Sequence, residues 1–326
     1  MIKALALTGP TASGKTALSL DIAENLGCEI VSLDSMQIYK GMDIGTAKAT
    51  ESEKERVPHH MIDVISPREL YNTESYRRDA LTAARDITAR GKLPLFVGGT
   101  GLYIDTLMRA APESPESDAE ISSRLMKEGD SEEGRERLYA RLSEIDPESA
   151  SKTHANNLRR VVRALEIYEL TGKTKSYFDR LSREGAPDIA IEMITLDFHD
   201  RENLYRRVDG RVDMMIEEGL VGEVRALYES GELVPGTTAA SAIGYKELLA
   251  YINKEGSLED ACDAIKLATR RYAKRQLTWF RHNKDAHRLF ADTDEGEMKS
   301  YTELSREALT IAKELSSKLS REFLQE

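Results

Sequence analysis

Residues 9–16 read GPTASGKT, preceded by the apolar run IKALALTG and followed by TALSLDIAENLG. The run before the loop has the composition of a buried strand, and the stretch after it has helical spacing with Gly27 as a stop. Strand, loop, helix is the context in which G-x-x-x-x-G-K-[ST] works as an anion cradle. The glycines let backbone N–H groups curl around a phosphate at a helix N-terminus, Lys15 adds a point charge, and the Thr16 hydroxyl is placed to hold a magnesium ion bridging the phosphate oxygens. The expected diphosphate site is therefore Gly9, Pro10, Thr11, Ala12, Ser13, Gly14, Lys15 and Thr16, with Thr16 as metal ligand and Mg2+ as cofactor. Such a loop specifies a diphosphate and leaves the rest of the ligand open.

Working outward, EIVSLDS (29–35) and PLFVGGT (94–100) read as buried parallel strands with NTESYRRDALTAARDITARGK (72–92) as the helix between them. A further strand is expected in IAIEMITLDF (189–198). The fold class is thus α/β, a parallel sheet of P-loop type. Between Leu102 and that last strand lies a polar, helix-rich interval opening with the Pro-rich APESPES, so an inserted helical subdomain is expected over 113–195, with 1–112 and 196–326 as the core. From 200 onward the chain reads as helices, including one from Ser257, whose capping box with Asp260 marks its start. The segment after 288 reads as a helix with no chemical role.

Bulk properties narrow the classes. The 326 residues are 32% charged with a net charge of -11, which argues against wholesale attraction to nucleic acid or anionic membrane. Charge is uneven, however: residues 266–284 are rich in Lys and Arg and contain no acid, whereas 113–136 are acid-rich. No apolar run approaches the ~20 residues of a membrane helix, and no cleavable signal precedes the loop, so a cytoplasmic protein is expected. Cys28 and Cys262 lack any zinc or disulfide spacing and read as reduced, buried thiols.

A nucleotide kinase would need a base pocket, catalytic arginines and a second acidic metal anchor. Asp34 could supply the acid, but it opens DSMQIYKGMDIGTAK (34–48), and a second glycine loop follows at VGGTGLY (97–103). Together with VPHHMIDV (57–64), SAIGYKE (241–247) and TRRYAKRQLTWFR (269–281), in this order, these motifs resemble the tRNA dimethylallyltransferase (isopentenyltransferase) family over most of the chain, to about residue 281. The resemblance implies transfer of a dimethylallyl group from dimethylallyl diphosphate to N6 of the adenosine beside the anticodon, position 37, in tRNAs reading codons that begin with U. It implies a P-loop-type core with an inserted helical domain, Mg2+, and a tRNA anticodon stem-loop as partner. A monomer is expected.

The chemistry has its own demands. An allylic C–O bond breaks with negative charge gathering on the departing diphosphate, which the loop would stabilise. Adenine N6 is a weak nucleophile and needs a positioned base. The resemblance and a place at a strand's C-terminal end make Asp34 that base; a capping or metal-supporting aspartate is the alternative. Thr100, between glycines, is implied to act on the leaving oxygen and contact tRNA, or else caps the following helix. Arg211 is implied to bind diphosphate, or forms a surface salt bridge.

The tRNA contacts implied by motif match are Asp34, Ser35, Met36 and Gln37; Thr100; Ser241, Ala242, Ile243, Gly244, Tyr245 and Lys246; and Lys274, Arg275, Gln276, Leu277, Thr278, Trp279, Phe280 and Arg281. In the insertion, HANNLRRVVRALE (154–166) implies Arg159, Arg160, Val161, Val162 and Arg163. The family pattern has Gln where this chain has Arg159, and a guanidinium cannot reproduce the amide acceptor. If 257–281 is helical, Lys266, Arg270, Lys274 and Arg281 share one face, either as a polynucleotide contact or as an ordinary solvated face. His59 and His60 read as structural. A cytokinin-type adenylate isopentenyltransferase and a small-metabolite kinase are the competing readings; the first has little use for a basic helix.

Overall fold

The computed structural model describes residues 1–110 and 115–321. They form two compact units, Met1–Met108 with Ile189–Glu326, and Arg109–Asp188. The expected boundary at 112/113 and the final residues of the C-terminal tail lie outside the described residues. Residues 189–195, expected in the insertion, instead belong to a strand of the first unit. The apolar content of IAIEMITLD commits it to the sheet, because a buried strand pairs where a neighbour can satisfy its backbone.

The first unit is built on six strands: β1 (Ile2–Thr8), β2 (Cys28–Leu33), β3 (His59–His60), β4 (Leu93–Gly98), β5 (Ile189–Asp197) and β6 (His287–Phe290). All pair in parallel, in the order β3-β2-β4-β1-β5-β6. Its helices begin with α1 (Lys15–Leu26), α2 (Glu51–Arg56), α3 (Thr73–Ala89) and α4 (Gly101–Leu107). The insertion contributes α5 (Ala119–Glu128), α6 (Glu132–Ile145), α7 (Pro147–Ala150), α8 (Leu158–Thr171) and α9 (Lys175–Glu184). The first unit then resumes with α10 (Arg201–Glu217), α11 (Leu220–Glu229), α12 (Tyr245–Ile252), α13 (Leu258–Arg281) and α14 (Tyr301–Arg321).

Local sequence accounts for the ends of several elements. Gly27, at φ 65°, terminates α1 in the left-handed region. Asn72 caps α3 by accepting from Ser75 N–H, and Ser257 with Asp260 closes both arms of a capping box on α13. The sheet is covered on one face by α3 and on the other by α1 and α14, and each face has its own apolar core. Cys28 and Cys262 are free thiols. The two short strands β3 and β6 were not expected.

The strand order positions the site. β1, β4 and β2 are adjacent, and their C-terminal ends release GPTASGKT, GGTG and Asp34 side by side. In an open parallel sheet, that edge, where successive connections leave in opposite directions, is where ligands bind.

In the second unit, α5, α6 and α8 pack around Leu125, Leu138, Leu142, Val161 and Leu165. Buried Glu166 accepts from Ser117 Oγ at 2.6 Å and Asp118 N–H at 2.7 Å, and pairs with Arg163 at 2.7 Å.

Candidate active site

The cradle is built as the motif requires. Gly14 stands at φ 98°, a conformation that L side chains rarely adopt, and this turns the chain into the first helical residue, Lys15. The Lys15 ammonium donates to the carbonyls of Gly9 at 3.0 Å and Pro10 at 2.6 Å. Burial above all, then repulsion from the Arg211 guanidinium, pulls Lys15 from 10.5 down to about 7, against the opposing attraction of Asp34. Arg211 reaches the same place from α10, and burial lowers it too. Two cations facing one carboxylate leave a surplus of positive charge that a diphosphate would relieve. Arg207, one turn earlier on α10, donates to the Ala12 carbonyl at 2.8 Å and holds the loop from behind. The cavity, of about 760 Å3, is lined by the loop together with Asp34, Arg211, Tyr272 and Gln276.

Asp34 sits at the end of β2. One oxygen, Oδ1, accepts from Met36 N–H at 2.8 Å and Gln37 N–H at 3.4 Å, which fixes the plane of the carboxyl group. Burial nevertheless raises its pKa above 3.8, outweighing these hydrogen bonds and the fields of Lys15 and Arg211. Thr100 occupies the N-cap position of α4, yet its side chain makes no capping bond. Its Oγ1 accepts instead from Ser35 N–H at 3.2 Å, which ties the second glycine loop to the residue next to Asp34. The capping alternative for Thr100 is thus set aside, whereas Asp34 does stabilise the turn that follows it.

Of the implied tRNA contacts, the structure divides the surface from the interior. On α13, Lys274, Arg275, Thr278 and Trp279 are exposed, but Gln276, Leu277 and Phe280 are buried. Arg281 is clamped on buried Asp197, with its guanidinium at 2.6 Å. The expected basic face is largely neutralised: Lys266 pairs with Asp213 at 2.6 Å and Arg270 with Asp209 at 3.0 Å, both acids belonging to α10. Lys274, exposed on the same helix, has no ion pair among the described residues. The Trp279 ring lies against Gly101, where an added Cβ would come within 2.3 Å of it.

Elsewhere the same sorting holds. Ser35 and Met36 are partly accessible, but Gln37 spends its amide internally, accepting from Ser32 Oγ at 2.8 Å and donating to the carbonyls of Thr46 and Ala47, each at 3.2 Å. In 241–246, Ser241 and Lys246 are exposed and Ile243 partly so; Ala242, Gly244 and Tyr245 are buried. In the insertion, Arg159 and Arg160 are exposed, Val161 and Val162 are core, and Arg163 is held by Glu166 and the Pro115 carbonyl. The buried residues follow from helical geometry: a contiguous motif on a helix necessarily turns part of itself inward. His60 accepts its structural role through Glu29 at 2.7 Å, and His59 bonds the Val57 carbonyl.

Sequence reasoning missed two groups. Glu223, on α11, accepts from the successive N–H groups of Asp43, Ile44 and Gly45 at 2.9, 2.7 and 3.2 Å, and from Tyr245 Oη at 2.6 Å. Lys48 donates to the Tyr39 carbonyl at 2.8 Å and to Asp43 and Asp63 at 2.6 and 2.5 Å. These pins fix the segment that begins at Asp34. Tyr272, one turn before Gln276, faces Thr100 and Asp34 with its hydroxyl pKa raised by burial. Among the described residues, no three His, Cys, Asp or Glu side chains converge on a point. The Thr16 hydroxyl lines the cavity, and a hard oxygen completed by diphosphate oxygens and water suits Mg2+.

The site therefore joins an anion cradle, a second glycine loop and one raised carboxylate at a sheet edge. Residues 37–283 match the IPP transferase family model, and residues 2–65 match that of isopentenyl transferase. The tRNA dimethylallyltransferase of Thermoanaerobacter sp. (strain X514) is 43% identical over 98% of this chain and 99% of its own. Among solved structures, the full-length tRNA isopentenylpyrophosphate transferase of Bacillus halodurans is 38% identical with a TM-score of 0.71, covering 99% of this chain and 100% of that one. A eukaryotic dimethylallyltransferase acting on tRNA is 32% identical with a TM-score of 0.83, covering 98% of this chain and 80% of that one. Motif order, sheet topology and near full-length identity agree, and the chain belongs to the tRNA dimethylallyltransferase (IPP transferase) family.

Proposed function

We infer that this chain prenylates tRNA, joining the dimethylallyl carbon of dimethylallyl diphosphate to N6 of adenosine 37 and releasing diphosphate. The observation that carries the mechanism is the arrangement of Lys15 and Arg211 on one side of the cavity and Asp34 beside them. The N–H groups of the loop, with Lys15 and Arg211, bind the diphosphate and stabilise the charge it gains as the C–O bond breaks. Thr16 is the residue that would hold Mg2+, which would supply further neutralising charge to the leaving diphosphate.

Asp34 Oδ2 takes the proton from N6 as the C–N bond forms, while Oδ1 stays engaged with Met36 and Gln37 and keeps the group aimed. A pKa raised by burial suits a base working near neutrality. Thr100, tied to Ser35, holds its hydroxyl beside the reacting atoms. A single-stranded loop base must leave its stack to be reached. For the polynucleotide we propose the accessible members of the motif set: Ser35, Met36, Ser241, Ile243, Lys246, Lys274, Arg275, Thr278, Trp279, and Arg159 with Arg160 in the insertion.

The test is incubation with radiolabelled dimethylallyl diphosphate and either unmodified tRNA or AMP. Label on tRNA supports the reading; label only on AMP, or ATP consumption without prenyl transfer, refutes it.

A further inference from the structure

Gln276 was expected at the tRNA surface and is instead among the most deeply buried polar side chains of α13, 5% exposed. Both ends of its amide are committed. Oε1 accepts from Thr11 N–H, in the diphosphate loop, at 2.8 Å, and Nε2 donates to the carbonyl of Gly99, in the second glycine loop, at 2.9 Å. The fit at Gly99 is close enough that an added Cβ would fall 2.1 Å from Nε2, so any side chain at 99 would displace this amide from its place. From Gly99 the connection continues through Thr100 to Ser35 N–H and so to Asp34. The loop's own shape does not depend on this bridge, because Lys15 ties it internally to Gly9 and Pro10, and Arg207 holds Ala12.

We propose that Gln276 is a positioning residue, a rigid spacer that sets the distance between the diphosphate cradle and the Asp34–Thr100 pair. Although it lines the cavity, both ends of its amide are spent on the two loops and not on a substrate. The reaction needs the allylic carbon, held through its diphosphate, and N6, held near Asp34, within near-attack distance, and a misplacement of about 1 Å can cost ~100-fold in rate. An amide is the group for this work because it supplies one donor and one acceptor at fixed separation. The inference rests on the prenyl-transfer reading above.

Gln276→Glu provides a test with a signature that no tRNA contact would give. A protonated glutamic acid still offers one donor and one acceptor, so it can rebuild both bonds; the ionised form offers acceptors only and faces the Gly99 carbonyl with like charge. Burial disfavours the ionised carboxylate, so across a scan from about pH 5.5 to about pH 8.5 the acid end favours the form that can make both bonds. The rate of prenyl transfer in single turnover, with both substrates saturating, is measured against the wild type at each pH. We expect a variant within about threefold of wild type at the acid end and down by ~30-fold or more at the alkaline end. Gln276→Met, which loses both bonds without adding charge, is expected to be slow at every pH with wild-type affinity for inorganic diphosphate to within about threefold.

A Gln276→Glu to wild-type ratio that stays flat with pH overturns the proposal. So does a Gln276→Met enzyme with normal single-turnover rate and a raised KM for tRNA, and so does loss of diphosphate binding in both variants at every pH. A wild type that fails to prenylate tRNA in the same assay overturns the prenyl-transfer reading and this inference with it, whereas a working wild type beside a pH-flat Gln276→Glu overturns this inference alone.

Discussion

Lys15 and Asp34 are held in opposite states of discomfort, and the ligands would relieve both. Lys15 is drawn down to about 7 by burial and by Arg211. A bound diphosphate favours the charged ammonium, so above that pH the free enzyme lacks a proton that the complex carries. Binding of inorganic diphosphate should therefore take up a proton at alkaline pH and weaken as pH rises through about 7. Calorimetry in buffers of different ionisation enthalpy reads this directly. Lys15→Arg, which keeps its charge, should show only the ligand's own protonation; equal uptake by both proteins would remove Lys15 from the site. Asp34 is shifted the other way, upward from 3.8. Its base form is lost as pH falls through that raised value, which sets an acid limb on kcat/KM at higher pH than an ordinary aspartate would give. Asp34→Asn should keep diphosphate affinity while losing on the order of 100-fold in single-turnover rate, and a near-normal rate would deny it the role of base.

At the scale of elements, α13 serves two masters. One side carries Gln276, Leu277 and Phe280 into the core, and the other presents Lys274, Arg275 and Trp279. Lys274→Ala should weaken tRNA binding and reduce the salt slope by about one, whereas Lys266→Ala and Arg270→Ala should change the slope less because Asp213 and Asp209 already occupy those charges. Filter binding across a salt series decides this; equal slopes for all three would mean the ion pairs open on contact. The basic run of α13 was legible, but its neutralisation was not, since Asp213 and Asp209 lie far earlier in the chain, on α10, and only packing brings them to Lys266 and Arg270. The same limit hid Glu223 beneath residues 43–45 and made β3 and β6 invisible, because His-His and HRLF show no apolar alternation. The features legible in the sequence are local ones: the loop, its flanking strand and helix, the capping box of α13 and the Gly27 stop are each set by residues close together in the chain.

The whole molecule divides its labour between a parallel sheet that delivers three loops to one edge and a helical unit, Arg109–Asp188, that exposes Arg159 and Arg160 on its own surface. Its net charge of -11 is compatible with an RNA substrate because attraction is needed only locally, and long-range fields are screened within about 8 Å at physiological salt. Among the described residues no helix is long and apolar enough to cross a membrane. Prenyl transfer makes one demand of the molecule at every scale: the loop at 9–16 grips a leaving diphosphate while carbon, not phosphorus, is transferred. Quantifying inorganic diphosphate release against prenylated nucleoside, with purified protein, unmodified tRNA and dimethylallyl diphosphate, tests that demand most directly. One diphosphate for each adenosine 37 carrying the five-carbon group is the predicted result; phosphate from ATP appearing on the acceptor, with no prenylated nucleoside, would contradict it.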